Sequence, residues 1–307
     1  MIYTLTLNPA LDYTVFAEGL TVGAVNRAGG FSVSYGGKGI NVSAMLKNLN
    51  VPSVALGFIA GFTGDELEKL MLNEGIYSDF IKLNSGITRI NVKIREKSET
   101  DINAQGPCAS ADELNLLYKR LNKLEHGDWL VLSGSIPSGI PSDIYARLSQ
   151  FAEKRGARVI IDAAGHALTD ALYTKPFLIK PNREELGDIF SKEISGISDA
   201  FFYAEKLKAE GAQNVMITLG GEGSALICEN GERLYCSAAD GAVLNTVGAG
   251  DSAVAGFIAG YAESGCYKNA LKLSAAAGGA TAFSNGIGNA ELVNRLIGSI
   301  SVKEYMK

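Results

Sequence analysis

Late in the chain, Thr246-Val247-Gly248-Ala249-Gly250-Asp251 runs directly into the apolar helical pattern SAVAGFIAGYAE. The two glycines let the backbone turn so that successive N–H groups converge on one point. The first helical turn adds unsatisfied N–H donors and a partial positive charge. Such a place holds anions, and the backbone of Gly248, Ala249 and Gly250 can cradle a phosphoryl group during transfer. Asp251 stands in that first turn. A carboxylate repels a neighbouring phosphate, so it makes chemical sense there if it faces an incoming hydroxyl and accepts its proton. A second reading is an ordinary helix-start aspartate stabilised by the dipole, and taken alone it is the better one. A third is the dinucleotide pattern G-x-G-x-x-G/A over Gly248 to Ala253. That pattern needs an acid closing a second strand about twenty residues on. The chain instead has the helical pattern Lys268 to Ala282 there, so an NAD-linked oxidoreductase fails on context.

Other segments carry polar groups in positions that suit a ligand. Ser34-Tyr35-Gly36-Gly37-Lys38-Gly39-Ile40-Asn41 is a glycine-rich turn into a helix, with one cation and one amide. It is not a Walker A loop, because Ser32 and Gly39 stand where Gly and Ser or Thr are required. It reads equally as a ligand loop or as a plain strand-to-helix turn. Lys180-Pro181-Asn182-Arg183-Glu184-Glu185 ends another strand. Ligands of open α/β sheets bind beyond the carboxyl ends of strands. Asn182 and Glu185, three apart on a starting helix, can both reach the water shell of Mg²⁺. As an isolated motif, N-x-x-E is usually just a helix start. Thr218-Leu219-Gly220-Gly221-Glu222-Gly223 suits a loop around nucleotide phosphates and ribose, although hairpin connections look similar. Asp12, after Asn8-Pro9-Ala10, either binds sugar hydroxyls or faces water. His126 and His166 stand alone, and isolated histidines are more often structural than catalytic.

Alternating strands and helices must position these pieces. Residues 2–7 (IYTLTL) form an apolar strand, and Ile40, Ala44, Met45 and Leu49 then share one helical face. Thr63-Gly64-Asp65-Glu66 and Ser110-Ala111-Asp112-Glu113 both fit capping boxes. Strands at 128–133, 158–162, 177–180 and 214–219 alternate with helices at 142–155, 184–190 and 199–210. This spacing predicts right-handed βαβ crossovers and a mostly parallel sheet. A meander at 225–236 and helices at 249–264, 268–284 and 290–299 complete the chain. Thr88 to Ile94 (TRINVKI) alternates strictly, with Ile90, Val92 and Ile94 on one side and Arg89, Asn91 and Lys93 on the other. With a polar turn at 97–101, it reads as a half-exposed hairpin outside the main sheet. The expected architecture is one three-layer α/β/α domain over residues 1–307. Segments 10–35 and 87–106 form a small inserted β-sheet lid.

The 307 residues are 47% hydrophobic and carry a net charge of −5. A large core is affordable. Neither a basic balance nor a basic stripe is present, which speaks against a nucleic-acid partner. An anionic substrate must then be held by a few local cations. MIYTLTLNPALD reads as a strand and a turn, without the charged and apolar regions of a signal peptide. Ala253 to Tyr261, the most apolar late stretch, is too short to span a membrane. Cys108, Cys228, Cys236 and Cys266 show no metal spacing and read as free thiols in a reducing cytoplasm.

In this order the pieces resemble the ribokinase/PfkB carbohydrate kinases, from Met1 to the last helix. Gly36 to Asn41 and Gly248 to Asp251 look like that family's two signatures, and together they are far more specific than either alone. Leu5 to Asp12, Thr88 to Lys93 and Leu178 to Asn182 are similar to the 1-phosphofructokinase and tagatose-6-phosphate kinase branch. The resemblance implies a ribokinase-like fold and an ATP-dependent kinase that uses Mg²⁺ and takes a phosphorylated ketohexose. It makes Asp251 the general base and Gly248 to Gly250 the anion hole. It assigns Lys180, Asn182, Thr218, Gly220 and Gly223 to the nucleotide, and Glu185 to Mg²⁺ through water. Asp12, Gly37, Asn41 and Asn103 fall at sugar-binding positions. Lys38 and Arg89, with Arg27, become candidates for the substrate phosphate. In several family members two lids pair, so a homodimer through the lid is expected. The run from Thr88 to Pro107 and Ser133-Gly134-Ser135-Ile136-Pro137 favour fructose 1-phosphate, giving fructose 1,6-bisphosphate. Tagatose 6-phosphate, giving tagatose 1,6-bisphosphate, is the alternative. A non-catalytic sugar-binding protein on the same fold is disfavoured by the intact Asp251.

Overall fold

The computed structural model describes residues 1–96 and 99–306, so part of the polar turn expected at 97–101 lies outside the described residues. In chain order the strands are β1 (Ile2–Thr6), β2 (Ala10–Ala17), β3 (Ala28–Gly36), β4 (Ser53–Ile59), β5 (Ile81–Lys82), β6 (Arg89–Arg95), β7 (Glu99–Asn103), β8 (Trp129–Ser133), β9 (Arg158–Asp162), β10 (Leu178–Ile179), β11 (Asn214–Thr218), β12 (Ser224–Ile227), β13 (Arg233–Cys236) and β14 (Val302–Glu304). The helices are α1 (Lys38–Asn48), α2 (Gly61–Asn73), α3 (Ala111–Leu121), α4 (Ile144–Glu153), α5 (His166–Thr169), α6 (Arg183–Phe190), α7 (Ile197–Ala209), α8 (Ala249–Ser264), α9 (Tyr267–Ala282) and α10 (Ala290–Ile297).

The main sheet runs β14-β13-β12-β11-β10-β9-β8-β1-β4-β5. It is parallel from β11 through β5 and antiparallel from β11 out to β14. The central strands WLVLS and NVMIT are apolar on both sides because helices cover both faces. Leu130, Leu132 and Val215 share one core with Leu121 of α3, Leu148 of α4 and Leu207 of α7. Val131 and Met216 point the other way, into a core with Met45 of α1, Phe257 of α8 and Leu271 of α9. These are the three expected layers.

The lid is a separate sheet in the order β3-β2-β6-β7. Its β2–β6 pairing is parallel and places Asp12 beside Asn91 and Tyr13 beside Val92. The polar row of β6 is the buried one: Asn91 and Lys93 are 7% and 9% exposed. The reason is that this row faces inward, toward a cleft between the lid and the main domain. The apolar row, with Phe31 and Ile102 at 65% and 56% exposure, faces away from that cleft.

The structure corrects one expectation at α2. The expected capping box at Thr63 does not form, because the helix begins at Gly61 with Ala60 as an uncapped N-terminus. The Thr63 hydroxyl instead donates to the carbonyl of Thr88 at 2.7 Å, while the Thr88 hydroxyl accepts from the Ala60 N–H at 2.9 Å. Thr63 is thereby spent on anchoring the root of β6. The box at Ser110 and Glu113 does form. β14 was not expected from the sequence. No helix among the described residues is long and apolar enough to cross a membrane.

Candidate active site

The carboxyl ends of β1, β8, β9, β10 and β11 open into a cleft of about 910 Å³, roofed at one end by the lid. Gly248, Ala249, Gly250 and Asp251 line it. Gly248 adopts φ +80°, a left-handed conformation that suits glycine, and lets the chain turn sharply into α8. No side chain caps this helix; the Ala249 N–H donates to the Thr246 carbonyl at 3.2 Å, and the next N–H groups, those of Gly250 and Asp251, are left for a ligand. Lys180 reaches the same spot: a Cβ placed on Gly250 would lie 3.3 Å from its Nζ. An uncapped helix start beside an ammonium group is a site for a phosphate.

Asp251 is 5% exposed, and its Oδ2 accepts from Asn41 Nδ2 at 2.8 Å. Burial, reinforced by the charge of Asp162, pushes its carboxyl up to about 6, while Asn41, Lys38 and Lys180 pull the other way. The group is therefore ionised at neutral pH yet basic enough to take a proton.

Asp162, at the end of β9, was missed by the sequence reading. It is completely buried, and its Oδ1 accepts from Lys38 Nζ at 3.2 Å and Lys180 Nζ at 3.1 Å. Burial opposes its charge, but the ammonium groups of Lys180 and Lys38 outweigh burial and hold it below the usual carboxylate range. Its Oδ2 has no partner. The available signal was an acid closing RVIID, at the carboxyl end of a strand otherwise buried in the sheet. Lys38 also lies 3.6 Å from Glu185 Oε1. Burial opposes its charge, yet Asp162, Glu185 and Asp251 together raise its pKa.

Asn182 and Glu185 form a capping box at the start of α6. Asn182 Oδ1 accepts from the Glu185 N–H at 2.8 Å, and Glu185 Oε2 accepts from the Asn182 N–H at 2.9 Å. The structural reading of N-x-x-E is thus realised, with Glu185 Oε1 turned toward Lys38. Among the described residues, no cluster of three or more His, Cys, Asp or Glu side chains is arranged for a metal. Asp162 Oδ2 accepts no hydrogen bond, and Glu185 Oε1 faces Lys38 at 3.6 Å. Thr218, Gly220 and Gly223 line the neighbouring wall, opposite small and apolar residues of α9 and the loop before α8.

At the lid end, Asp12, Gly37, Asn41 and Arg89 line the same cleft. The Asp12 carboxylate lies against Gly36 so closely that a Cβ there would sit 2.7 Å from Oδ1. Lys93 Nζ pairs with Asp12 Oδ2 at 2.8 Å, and Asn91 Nδ2 donates to Oδ1 at 3.0 Å. The sequence reading overlooked both partners. Arg89 donates to the carbonyls of Asn8 and Ala104 at 3.2 and 3.4 Å and makes no ion pair among the described residues. Burial lowers its pKa, against the opposing pull of Asp12. Lys38 and Arg89, the candidates for the substrate phosphate, line the same cleft, and Lys38 is engaged there by two carboxylates. Arg27 and Asn103 are exposed and do not line the cleft.

The family model described as pfkB family carbohydrate kinase matches residues 5–293. The chain is 42% identical over 302 residues to a 1-phosphofructokinase of Bacillus subtilis, covering 98% of this chain and 99% of that protein. It is 38% identical over 304 residues to a D-tagatose-1-phosphate kinase of Bacillus licheniformis, covering 98% and 99%. A crystal structure of phosphofructokinase-2 from Escherichia coli in complex with fructose 6-phosphate superposes with a TM-score of 0.90 at 26% identity, covering 97% of this chain and 98% of that one.

Proposed function

The chain belongs to the pfkB family of carbohydrate kinases, and from that premise we propose that it transfers the γ-phosphoryl group of ATP to the C6 hydroxyl of fructose 1-phosphate, giving fructose 1,6-bisphosphate. The observation that carries the chemistry is Asp251, buried in the first turn of an uncapped helix beside Lys180. The substrate hydroxyl attacks the γ-phosphorus, and the bond from that phosphorus to the β–γ bridging oxygen breaks. ADP leaves, and the hydroxyl proton passes to Asp251. The first N–H groups of α8 and Lys180 hold the charge that builds on the transferring group. Asn41 holds the Asp251 carboxylate in place by accepting no charge, only donating its amide hydrogen.

The residues present fit Mg²⁺. Asp162 Oδ2 is a buried carboxylate oxygen without a donor, and Asp162 and Glu185 share Lys38 as a neighbour, through Oδ1 at 3.2 Å and Oε1 at 3.6 Å. Asp162 Oδ2 and Glu185 Oε1 would hold the ion, directly or through water, and the ion would supply charge neutralisation at the β- and γ-phosphates. At the sugar end, Asp12 accepts from sugar hydroxyls and Arg89 offers an unpaired guanidinium to the C1 phosphate. The chain works in the cytoplasm, where ATP is supplied and its cysteines, all free, stay reduced. Two copies pair through their lids, which covers the exposed row containing Phe31, Val33 and Ile102.

A second reading has specific support. The 38% relative is named for tagatose 1-phosphate. Tagatose 1-phosphate presents the same C6 hydroxyl and the same distal phosphate, so it replaces tagatose 6-phosphate as the competing substrate. The deciding experiment is kcat/KM measured side by side for fructose 1-phosphate, tagatose 1-phosphate, fructose 6-phosphate and free fructose. A higher value for tagatose 1-phosphate moves the protein to the second reading. A higher value for free fructose removes the argument for a phosphate site at Arg89.

A further inference from the structure

Strand β6 holds both carboxylate oxygens of Asp12. Asn91 donates to one and Lys93 pairs with the other. The parallel register sets this up, placing Asp12 beside Asn91 and Thr14 beside Lys93 on the cleft-facing side of the lid. Lys93 is 9% exposed, and Asp12 is its carboxylate partner among the described residues. A buried ammonium group is costly unless it is paired, so these two charges depend on one another.

Position separates their roles. Asp12 lines both the catalytic cleft and an adjoining cavity of about 870 Å³ beneath the lid. Lys93 lines the adjoining cavity and not the cleft, so it stands behind the carboxylate. Holding the strands together does not require it, because β2 and β6 already pair from Ala10–Arg89 to Phe16–Arg95. What the pair changes is the charge that a ligand meets. A bare carboxylate at the sugar end repels an anionic sugar. A neutralised and oriented one offers hydrogen-bond acceptors to hydroxyls with little net field.

We propose that Lys93 is a positioning residue that neutralises and orients Asp12 so that the cleft accepts an anionic sugar. The proposal rests on the sugar-phosphate kinase reading above. It makes lid strand β6 part of the selectivity for phosphorylated over neutral sugars, through a residue that does not touch the substrate.

The test is steady-state kinetics on Lys93→Met, Lys93→Arg, Asp12→Asn and the Lys93→Met/Asp12→Asn double variant, with thermal melting of each. Lys93→Met is expected to raise KM for fructose 1-phosphate by about ten- to hundred-fold while kcat changes by less than about three-fold. Lys93→Arg recovers most of the loss. The double variant is no worse than Asp12→Asn alone, because Lys93 acts through Asp12. Free fructose suffers a smaller penalty than fructose 1-phosphate. If Lys93→Met fails to fold, Lys93→Gln keeps a donor without the charge, and the same rise in KM is expected. An unchanged KM, a loss confined to kcat, or additive single-variant effects would overturn the proposal. Wild-type protein without activity on any sugar phosphate would instead remove the kinase reading itself.

Discussion

Replacing Asp251 with Asn is expected to stabilise the protein while nearly abolishing turnover. In the folded chain the carboxyl is raised from 3.8 to about 6, first by burial and then by Asp162. A raised carboxyl prefers its protonated form in the folded state. Below about pH 3.8 both states are protonated and folding is not penalised. As the pH climbs from there to about 6, the unfolded chain ionises first, so stability falls. Above about 6 the full cost is present, about 3 kcal/mol at roughly 1.4 kcal/mol per tenfold change. Asn has the same shape and carries no charge, and its amide oxygen still accepts from Asn41. The variant should therefore gain about 1 kcal/mol at pH 4.5 and about 3 kcal/mol at pH 8. Meanwhile kcat should drop by about 10²–10⁴-fold with little change in KM, because the base acts in the transition state. Urea unfolding of both proteins at several pH values gives the first quantity, and a coupled ADP-release assay gives the second. A variant equally stable or weaker at pH 8, or a gain that does not grow between pH 4.5 and 8, would refute the electrostatic argument. Retention of more than about a tenth of wild-type turnover would refute the role of base.

Wild-type kcat/KM should fall about tenfold per pH unit below about 6, as Asp251 of the free enzyme becomes protonated, and this limb should be missing from Asp251→Asn. Arg89→Ala should lower kcat/KM for fructose 1-phosphate by about ten- to hundred-fold, and far less for free fructose, if the guanidinium holds the phosphate. Val92→Lys should give monomers by light scattering at micromolar concentration and weaken sugar binding; a wild-type monomer under those conditions would contradict lid pairing. Ser110→Ala removes the capping box of α3 far from the cleft, so it should cost about 1 kcal/mol in urea unfolding and leave kcat unchanged.

The fold was legible because its signals are local. WLVLS, RVIID and NVMIT can be continuous apolar runs only if both faces are covered, and the ten- to fifteen-residue helical spacings between them force parallel crossovers. Boundaries moved by one or two residues at α9 and α10, because the last turns carry no distinctive cap. The Thr63 box failed for a different reason. A capping box and a tertiary hydrogen bond use the same hydroxyl, and the sequence around Thr63 does not reveal that Thr88 is its neighbour. The ion pair that β6 makes on its inner side was hidden on the same grounds. Strict alternation shows that two faces differ but not which one is inside, and the partner that draws Lys93 inward lies 81 positions earlier in the chain, at Asp12. Gly248 to Asp251 is a contiguous motif and could be read directly. Asp162 could not, since its meaning depends on Lys38 and Lys180 arriving from two other strand ends.

The charges of the cleft impose one further constraint on how it binds. Lys38 and Lys180 share Asp162, Arg183 pairs with Glu222, and Asp12 is neutralised from behind by Lys93. Among the described residues that line the cleft, Arg89 is the cation left without a carboxylate partner. A chain of net charge −5 thus meets two polyanionic ligands with almost no free positive charge of its own. Attraction must then come at short range, from the backbone donors of α8 and from the glycine loop at Thr218 to Gly223. Such contacts lie inside a cleft, where salt screens weakly, whereas long-range steering by surface charge is screened strongly. Raising ionic strength should therefore change KM for fructose 1-phosphate little in the wild type. Each buried ammonium group of the cleft and its lid has a carboxylate partner, so a phosphate that meets Arg89 and the open end of α8 need break none of these ion pairs.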